Sequence, residues 1–122
     1  DQPRSRGLGD VYKRQYIIQK YIEKPLLYKN RKFDIRTYTL MTTVNGNLQG
    51  YWYNEGYLRT SSKDFNLKNV TNRLIHLTND AVQKKSDDYG KFESGNKLSY
   101  PDFQKYLDSV DIKCNFVKEI VP

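Results

Sequence analysis

The sequence predicts an α+β fold, an antiparallel strand meander followed by a C-terminal helix. Three observations carry that prediction. A run from Lys32 to Val44 is dense in Thr, Tyr, Ile and Phe, residue types that suit a pleated, half-buried surface. It stops at Asn45-Gly46, the pair a type I′ hairpin turn favours because both central residues need positive φ. Past Ser99, a good N-cap, Phe103, Tyr106, Leu107 and Val110 recur at helical spacing.

Taken in order, Asp1 to Gln15 differs from the rest. It is rich in Arg, Gly and Asp, lacks periodicity, and reads as a non-native or disordered tail outside the fold. Tyr16 to Ile22 is a short β-rich run, expected as a buried strand. Glu23-Lys24-Pro25 ends it, since proline blocks continued pairing. Leu26 to Asn30 connects to the Lys32–Val44 strand. Leu48 to Tyr53 should pair back, Asn54-Glu55-Gly56 should turn again, and Tyr57 to Ser61 should form a third strand. Ser62 to Arg73 reads as polar loop, Leu74 to Thr78 as a short apolar segment, and Asp80 to Lys85 as a helical turn or two. Lys84 to Lys97 is charged, holds two glycines and is expected to be a mobile loop.

At 122 residues the chain is one domain at most, able to bury roughly two-thirds of its unfolded surface. Hydrophobic residues make up 37%, so the core should be lean. Eleven tyrosines supply aromatic bulk with polar tips. A net charge of +7 and a pI near 9.4 point to an acidic partner. The first fifteen residues hold four basic and two acidic groups, which leaves +5 on the remainder. A lone cysteine, Cys114, cannot form an internal disulfide and is expected as a small core-filling thiol in a reducing compartment. No run of about 18 apolar residues suggests a transmembrane helix, and the N-terminus lacks the apolar stretch of a signal peptide.

The chemistry concentrates in Arg31-Lys32-Phe33-Asp34-Ile35-Arg36. In a strand, Lys32, Asp34 and Arg36 share one face and Phe33 and Ile35 the other. A row of plus, minus, plus suits carboxylate or phosphate, with Lys as a point charge and Arg as a two-pronged donor. The plain alternative is a solvated edge whose charges partly cancel. Three further segments accompany it: Gln19-Lys20-Tyr21-Ile22, Leu58-Arg59-Thr60 and His76-Leu77-Thr78-Asn79.

In this order and spacing the four segments resemble the tubulin tyrosine ligase and tubulin tyrosine ligase-like family, over Tyr16 to Leu107, roughly three-quarters of the chain. The resemblance implies a partial ATP-grasp domain, residues 16–122 being the middle portion of a catalytic domain. It implies ATP-driven ligation of an amino acid to tubulin: a carboxylate takes the γ-phosphoryl group and an incoming amine attacks the acyl phosphate. Gln19, Lys20, Tyr21 and Ile22 would meet the adenine, with Lys20 and Tyr21 around the ring. Lys32 would face phosphate and Asp34 the ribose or a bridging group. Thr78 and Asn79 would reach the phosphates, and Arg36 and Arg59 would hold a carboxylate or the reacting intermediate, as the catalytic pair. His76 would play only a supporting part. Such chemistry needs positioning and cationic stabilisation more than a protein nucleophile.

Implied partners are ATP, Mg²⁺, a free amino acid and the acidic C-terminal tail of tubulin, in the cytoplasm on microtubules, including those of cilia; no membrane is implied. The family's magnesium ligands lie toward the end of its domain and are expected outside this fragment. The 122 residues are therefore expected to bind nucleotide weakly and to catalyse nothing alone, and an unpaired sheet edge should make them prone to aggregate. Tyr89 to Asn96 and Phe103 to Leu107 are most similar to the tyrosine-adding branch. Glutamate-adding relatives carry Tyr after His-Leu-Thr-Asn and a Ser-Lys-rich stretch. Here Asp80 and Gly95-Asn96-Lys97 stand instead, which favours tyrosine over glutamate or glycine. Two other classes compete. One is a basic module for single-stranded nucleic acid, against which stand Asp34 in the would-be basic strand and the lack of a known nucleic-acid motif. The other is an inactive fragment that still docks on acidic tubulin tails.

Overall fold

The computed structural model describes residues 15–121. The tail expectation for 1–14 lies outside the described residues. A long two-stranded ribbon dominates: β1 (Arg31–Val44) and β2 (Asn47–Asp64) run antiparallel. They join at Asn45 (φ 49°) and Gly46 (φ 78°), the two positive φ values that the Asn-Gly pair predicts. A short strand β3 (Lys97–Ser99) pairs on the far side of β2, giving the order β1-β2-β3. Helices α1 (Arg73–His76) and α2 (Asp80–Gln83) follow the ribbon, and α3 (Tyr100–Ser109) and α4 (Phe116–Glu119) close the described chain. The α+β meander with a C-terminal helix is present, with strand three differently placed.

The Asn54-Glu55-Gly56 turn does not form, and Tyr57–Ser61 is not a separate strand. Arg36 opposes Tyr57 and Tyr38 opposes Tyr53, so Asn54, Glu55 and Gly56 lie against Thr37 alone. The extra residues are absorbed as a bulge that bends the ribbon without ending it. A second bulge sets Ser61, Ser62 and Lys63 against Lys32. Gly56 is needed because its Cα faces the Tyr100 hydroxyl and the Arg36 carbonyl, which any Cβ would strike. Gly56→Ala is expected to cost about 1–3 kcal/mol, as overpacking of a closed site does. Urea denaturation measures this; a change below about 0.5 kcal/mol would mean that the bulge relaxes freely.

The strand expected at Tyr16–Ile22 is also absent. The run has no regular secondary structure and is exposed, Ile17 and Ile18 almost wholly so, because no described strand lies beside it to accept its backbone groups or cover its side chains. The short apolar segment Leu74–Thr78 gives its first three residues to α1. Its cap is Asn72, whose side chain accepts from the Leu74 amide at 3.0 Å. α3 begins as its sequence demands, the Ser99 hydroxyl accepting from the Asp102 amide at 3.2 Å. Val110 falls at its C-cap and is exposed.

Apolar packing occupies one face of the sheet. Leu58 and Leu98, paired across β2 and β3, meet Phe103 and Leu107 of α3, Phe116, Tyr28 and Tyr100, with Phe33 and Ile35 of β1 alongside. Phe103 sits among the rings of Phe33 and Phe116, at centroid distances of 5.0 and 4.9 Å. Cys114 is half-buried outside that cluster, so it does not fill the core. The Lys84–Lys97 segment is pinned, not mobile. Arg31 and Glu93 form a buried two-pronged ion pair, to which the Thr60 hydroxyl adds a bond at 3.0 Å. Asn96 donates to the Thr60 carbonyl and Ser62 hydroxyl, and accepts from the Gly90 amide. Gln83, fully buried, accepts from the Ser62 amide and donates to the carbonyls of Leu74 and Leu77.

Candidate functional site

The sheet face opposite the core carries the charged row. Alternation along β1 puts Lys32, Asp34 and Arg36 there, and the register brings Arg59 directly opposite Asp34 and Tyr57 opposite Arg36. Arg59 grips Asp34 with both prongs, Nε donating at 2.8 Å and a second nitrogen closing the pair. Asp34 thereby fixes the plane of the guanidinium and pushes the arginine's pKa up, so it stays charged. Arg36 is exposed and rests over the Tyr38 ring at 5.1 Å. Tyr57 foremost, then Arg36, pulls the Tyr38 pKa down, while Tyr38 pushes that of Tyr57 up. The arrangement is a partly exposed cationic and phenolic surface.

A second group forms at the start of β1. The Lys32 ammonium donates to the His76 carbonyl at 3.0 Å and to the Tyr21 hydroxyl at 3.3 Å, and lies 4.8 Å from the centre of the Tyr21 ring. Tyr21 meets the His76 ring edge-on, hydroxyl to Nδ1 at 2.8 Å, and His76 Nε2 reaches the Asn69 carbonyl at 2.9 Å. Thus an α1 residue whose side chain faces inward, not toward solvent, organises a strand lysine.

Of the residues expected at the site, Tyr21 and Lys32 are brought together, as are Asp34 and Arg59, with Arg36 in the next row on the same face. Gln19, Lys20 and Ile22 are exposed and join neither group of contacts. Thr78 is buried just beyond α1, while Asn79 is exposed at the start of α2 and makes no side-chain capping bond there. Tyr38, Tyr57 and the depth of His76's involvement were missed. The only available signal was alternation on a strand whose bulged register the sequence does not reveal.

Asp80 and the 90s loop have plain structural duties. Asp80 pairs with Lys84 at 2.9 Å and accepts from the Tyr89 hydroxyl at 2.8 Å, and Asp88 is paired with Lys63. Lys84 foremost, then Tyr89, holds the Asp80 carboxyl below its usual range, and Lys63 does the same for Asp88. Because the folded pKa values are lowered, the stability they give is complete above the ordinary carboxylate value, near 4. It is lost as pH falls through the lowered values. Urea midpoints measured from pH 5 to pH 2 should fall less steeply in Asp80→Asn/Asp88→Asn than in the parent, by a small margin because both pairs are solvated.

Among the described residues no group of three or more His, Cys, Asp or Glu side chains could hold a metal ion. Asp34 and Asp80, the acids nearest the cationic face, are already engaged by Arg59 and Lys84. The described residues do not fit a magnesium ion.

The model of the Tubulin-tyrosine ligase family matches residues 5–121. Tubulin glycylase 3B of Drosophila melanogaster is 40% identical over 122 residues, covering 84% of this chain and 16% of its own length. Tubulin glycylase 3D of Tetrahymena thermophila is 37% identical over 111 residues, 88% of this chain and 11% of the relative. The probable tubulin polyglutamylase TTLL9 of Rattus norvegicus is 38% identical over 100 residues, 82% of this chain and 21% of the relative. The chain thus spans only a fraction, between 11% and 21%, of the length of these relatives. With the family model matched over nearly its whole length and relatives well above 30% identity, the chain belongs to the tubulin-tyrosine ligase family.

Proposed function

We propose that the chain is the middle segment of an ATP-dependent ligase that joins an amino acid to tubulin through an acyl phosphate. The observation that supports this best is one sheet face that carries Lys32, Arg36 and an Asp34-braced Arg59, Arg36 exposed and the other two half-buried. Lys32, its ammonium held beside His76 and Tyr21, would meet the nucleotide phosphates. Arg36 and Arg59 would hold the carboxylate and then its phosphorylated form. The carboxylate oxygen attacks the γ-phosphorus and ADP leaves; the amine then attacks the acyl carbon, phosphate leaves and the nitrogen loses a proton. Fixed guanidinium groups suit both steps because negative charge gathers on the transferring phosphoryl oxygens. Thr78 and Asn79, directly after α1, would add donors to the phosphates. Tyr21 and the exposed Gln19, Lys20 and Ile22 would lie along the base. Magnesium, where bound, would neutralise phosphate charge from ligands beyond these residues. Cytoplasmic microtubules, including those of cilia, would be the place of action.

The amino acid is glycine or glutamate, as the names of the relatives suggest. The tyrosine expectation rested on Asp80 and the 90s loop, whose side chains are occupied in holding the fold. The deciding experiment follows ATP-dependent incorporation of labelled glycine, glutamate and tyrosine into tubulin by the full-length protein that carries this segment. Glycine or glutamate incorporation is expected, and none from the 122 residues alone. Tyrosine would restore the loop reading, and no incorporation of any of the three would overturn the ligase reading.

A further inference from the structure

Four groups stand in a line: the Lys32 ammonium, the Tyr21 hydroxyl, the His76 imidazole and the Asn69 carbonyl. A carbonyl can only accept, so His76 Nε2 carries a proton. In the neutral ring Nδ1 must then accept, and the Tyr21 hydroxyl donates to it at 2.8 Å. The phenol oxygen is left with lone pairs facing an ammonium that can only donate, at 3.3 Å. Every bond therefore points the same way, from Lys32 to Asn69. The other neutral tautomer would set a bare nitrogen against the Asn69 carbonyl inside a pocket that leaves His76 only 8% exposed.

The ring is also held mechanically, with Tyr21 and Phe65 both edge-on to it at centroid distances of 5.5 and 5.7 Å. The backbone of the same residue takes a second proton of Lys32 through its carbonyl at 3.0 Å. The Tyr21 hydroxyl, held by the His76 ring, and the His76 carbonyl thus take two of the three ammonium protons and leave the third for a ligand. A lysine on its flexible stem ordinarily loses rotamer freedom when it binds. Here that freedom is already lost before a ligand arrives.

We infer that His76 is a positioning residue for a polyphosphate ligand, setting the Lys32 ammonium through Tyr21 by a hydrogen-bond chain with a fixed direction. This rests on the proposed nucleotide role of Lys32. It gives His76 a duty that a merely buried histidine would not have, and it ties the segment around Tyr21 to α1.

In the full-length protein the imidazole ¹⁵N signals of His76 are identified as those that His76→Asn or His76→Gln removes. The expected spectrum is that of the Nε2–H tautomer, and Tyr21→Phe should move the Nδ1 resonance toward that of an unbonded acceptor while leaving Nε2 in place. In the full-length ligase, Tyr21→Phe keeps the aromatic ring and should weaken binding of a fluorescent Mg·ATP analogue roughly 3–10-fold, the scale of one lost ordered hydrogen bond. His76→Asn should weaken it at least as much, and neither should change KM for the amino acid. Tyr21→Phe keeps the test decisive if His76→Asn fails to fold. A proton on Nδ1 with Nε2 bare, or an Nδ1 resonance unmoved in Tyr21→Phe, overturns the chain. Nucleotide affinity unchanged in Tyr21→Phe but weakened in Lys32→Gln overturns the positioning role. Affinity unchanged in Lys32→Gln as well overturns the nucleotide role of Lys32 and the positioning role with it, and the imidazole spectrum still tells whether the chain exists.

Discussion

Arg31→Ala should lower the stability of the fold by about 3–5 kcal/mol, the usual cost of removing one partner from a buried ion pair. The side chains of Arg31 and Glu93 are only 3% and 8% exposed, so the orphaned carboxylate would have little access to water. Arg31 also donates to the Ser61 carbonyl at 3.0 Å and packs against Phe92 at 4.4 Å, tying the β2 bulge and the 90s loop to the first residue of β1. Its loss should therefore release the loop as well as the charge. Replacing both partners, as in Arg31→Met/Glu93→Leu, should recover much of the loss, because the larger penalty is the unpaired charge and not the absence of attraction. Urea denaturation of the two variants against the parent measures this. A loss below about 1 kcal/mol for Arg31→Ala would show that the pair is hydrated and that the loop is held by Asn96 and Gln83.

Arg59→Gln should do the reverse, leaving stability within about 1 kcal/mol and removing the proposed ligase activity. Its ion pair with Asp34 is 22% and 37% exposed, and exposed pairs contribute little to folding. What Asp34 contributes is orientation, holding the guanidinium plane and keeping it charged on the open face. Removing one fixed donor from a site that stabilises developing charge costs roughly 10²–10³ in turnover. In the proposed ligase reaction, ATP-dependent incorporation by the full-length protein should fall by that amount, with the urea midpoint hardly moved. Arg59→Lys should recover little, since a point charge cannot reproduce the two-pronged bond to Asp34. Full activity in Arg59→Gln would remove the arginine from the reaction and leave the pair as an ordinary sheet contact.

The local rules in this chain are strong where one or two residues suffice. Asn45-Gly46 fixes a hairpin because the backbone there needs positive φ at both positions, and Ser99 starts a helix because its hydroxyl satisfies an orphan amide. Alternation alone separates Lys32, Asp34 and Arg36 from Phe33 and Ile35, so the cationic face was legible before any register was known. The resemblance carried by the four short segments placed the family correctly. Beyond that reach, local pattern misleads. Asn54-Glu55-Gly56 has the composition of a turn and forms a bulge, because the ribbon partner and Tyr100 decide how the extra residues are stored. Tyr16–Ile22 has the composition of a buried strand and lies exposed, because a strand needs a neighbour to take its backbone groups.

The amino-acid sequence by itself determined the two faces of β1, the hairpin that follows it and the helix at Ser99, each through contacts between near neighbours. The tertiary structure alone decided that Arg59 meets Asp34, that Glu93 meets Arg31 62 positions away, and that Tyr21 meets His76 55 positions away. The first of those pairings depends on how a bulge shifts the register of β2. The pairings also depend on which buried polar groups must find partners once water is excluded, a condition that exists only after the chain has closed on itself.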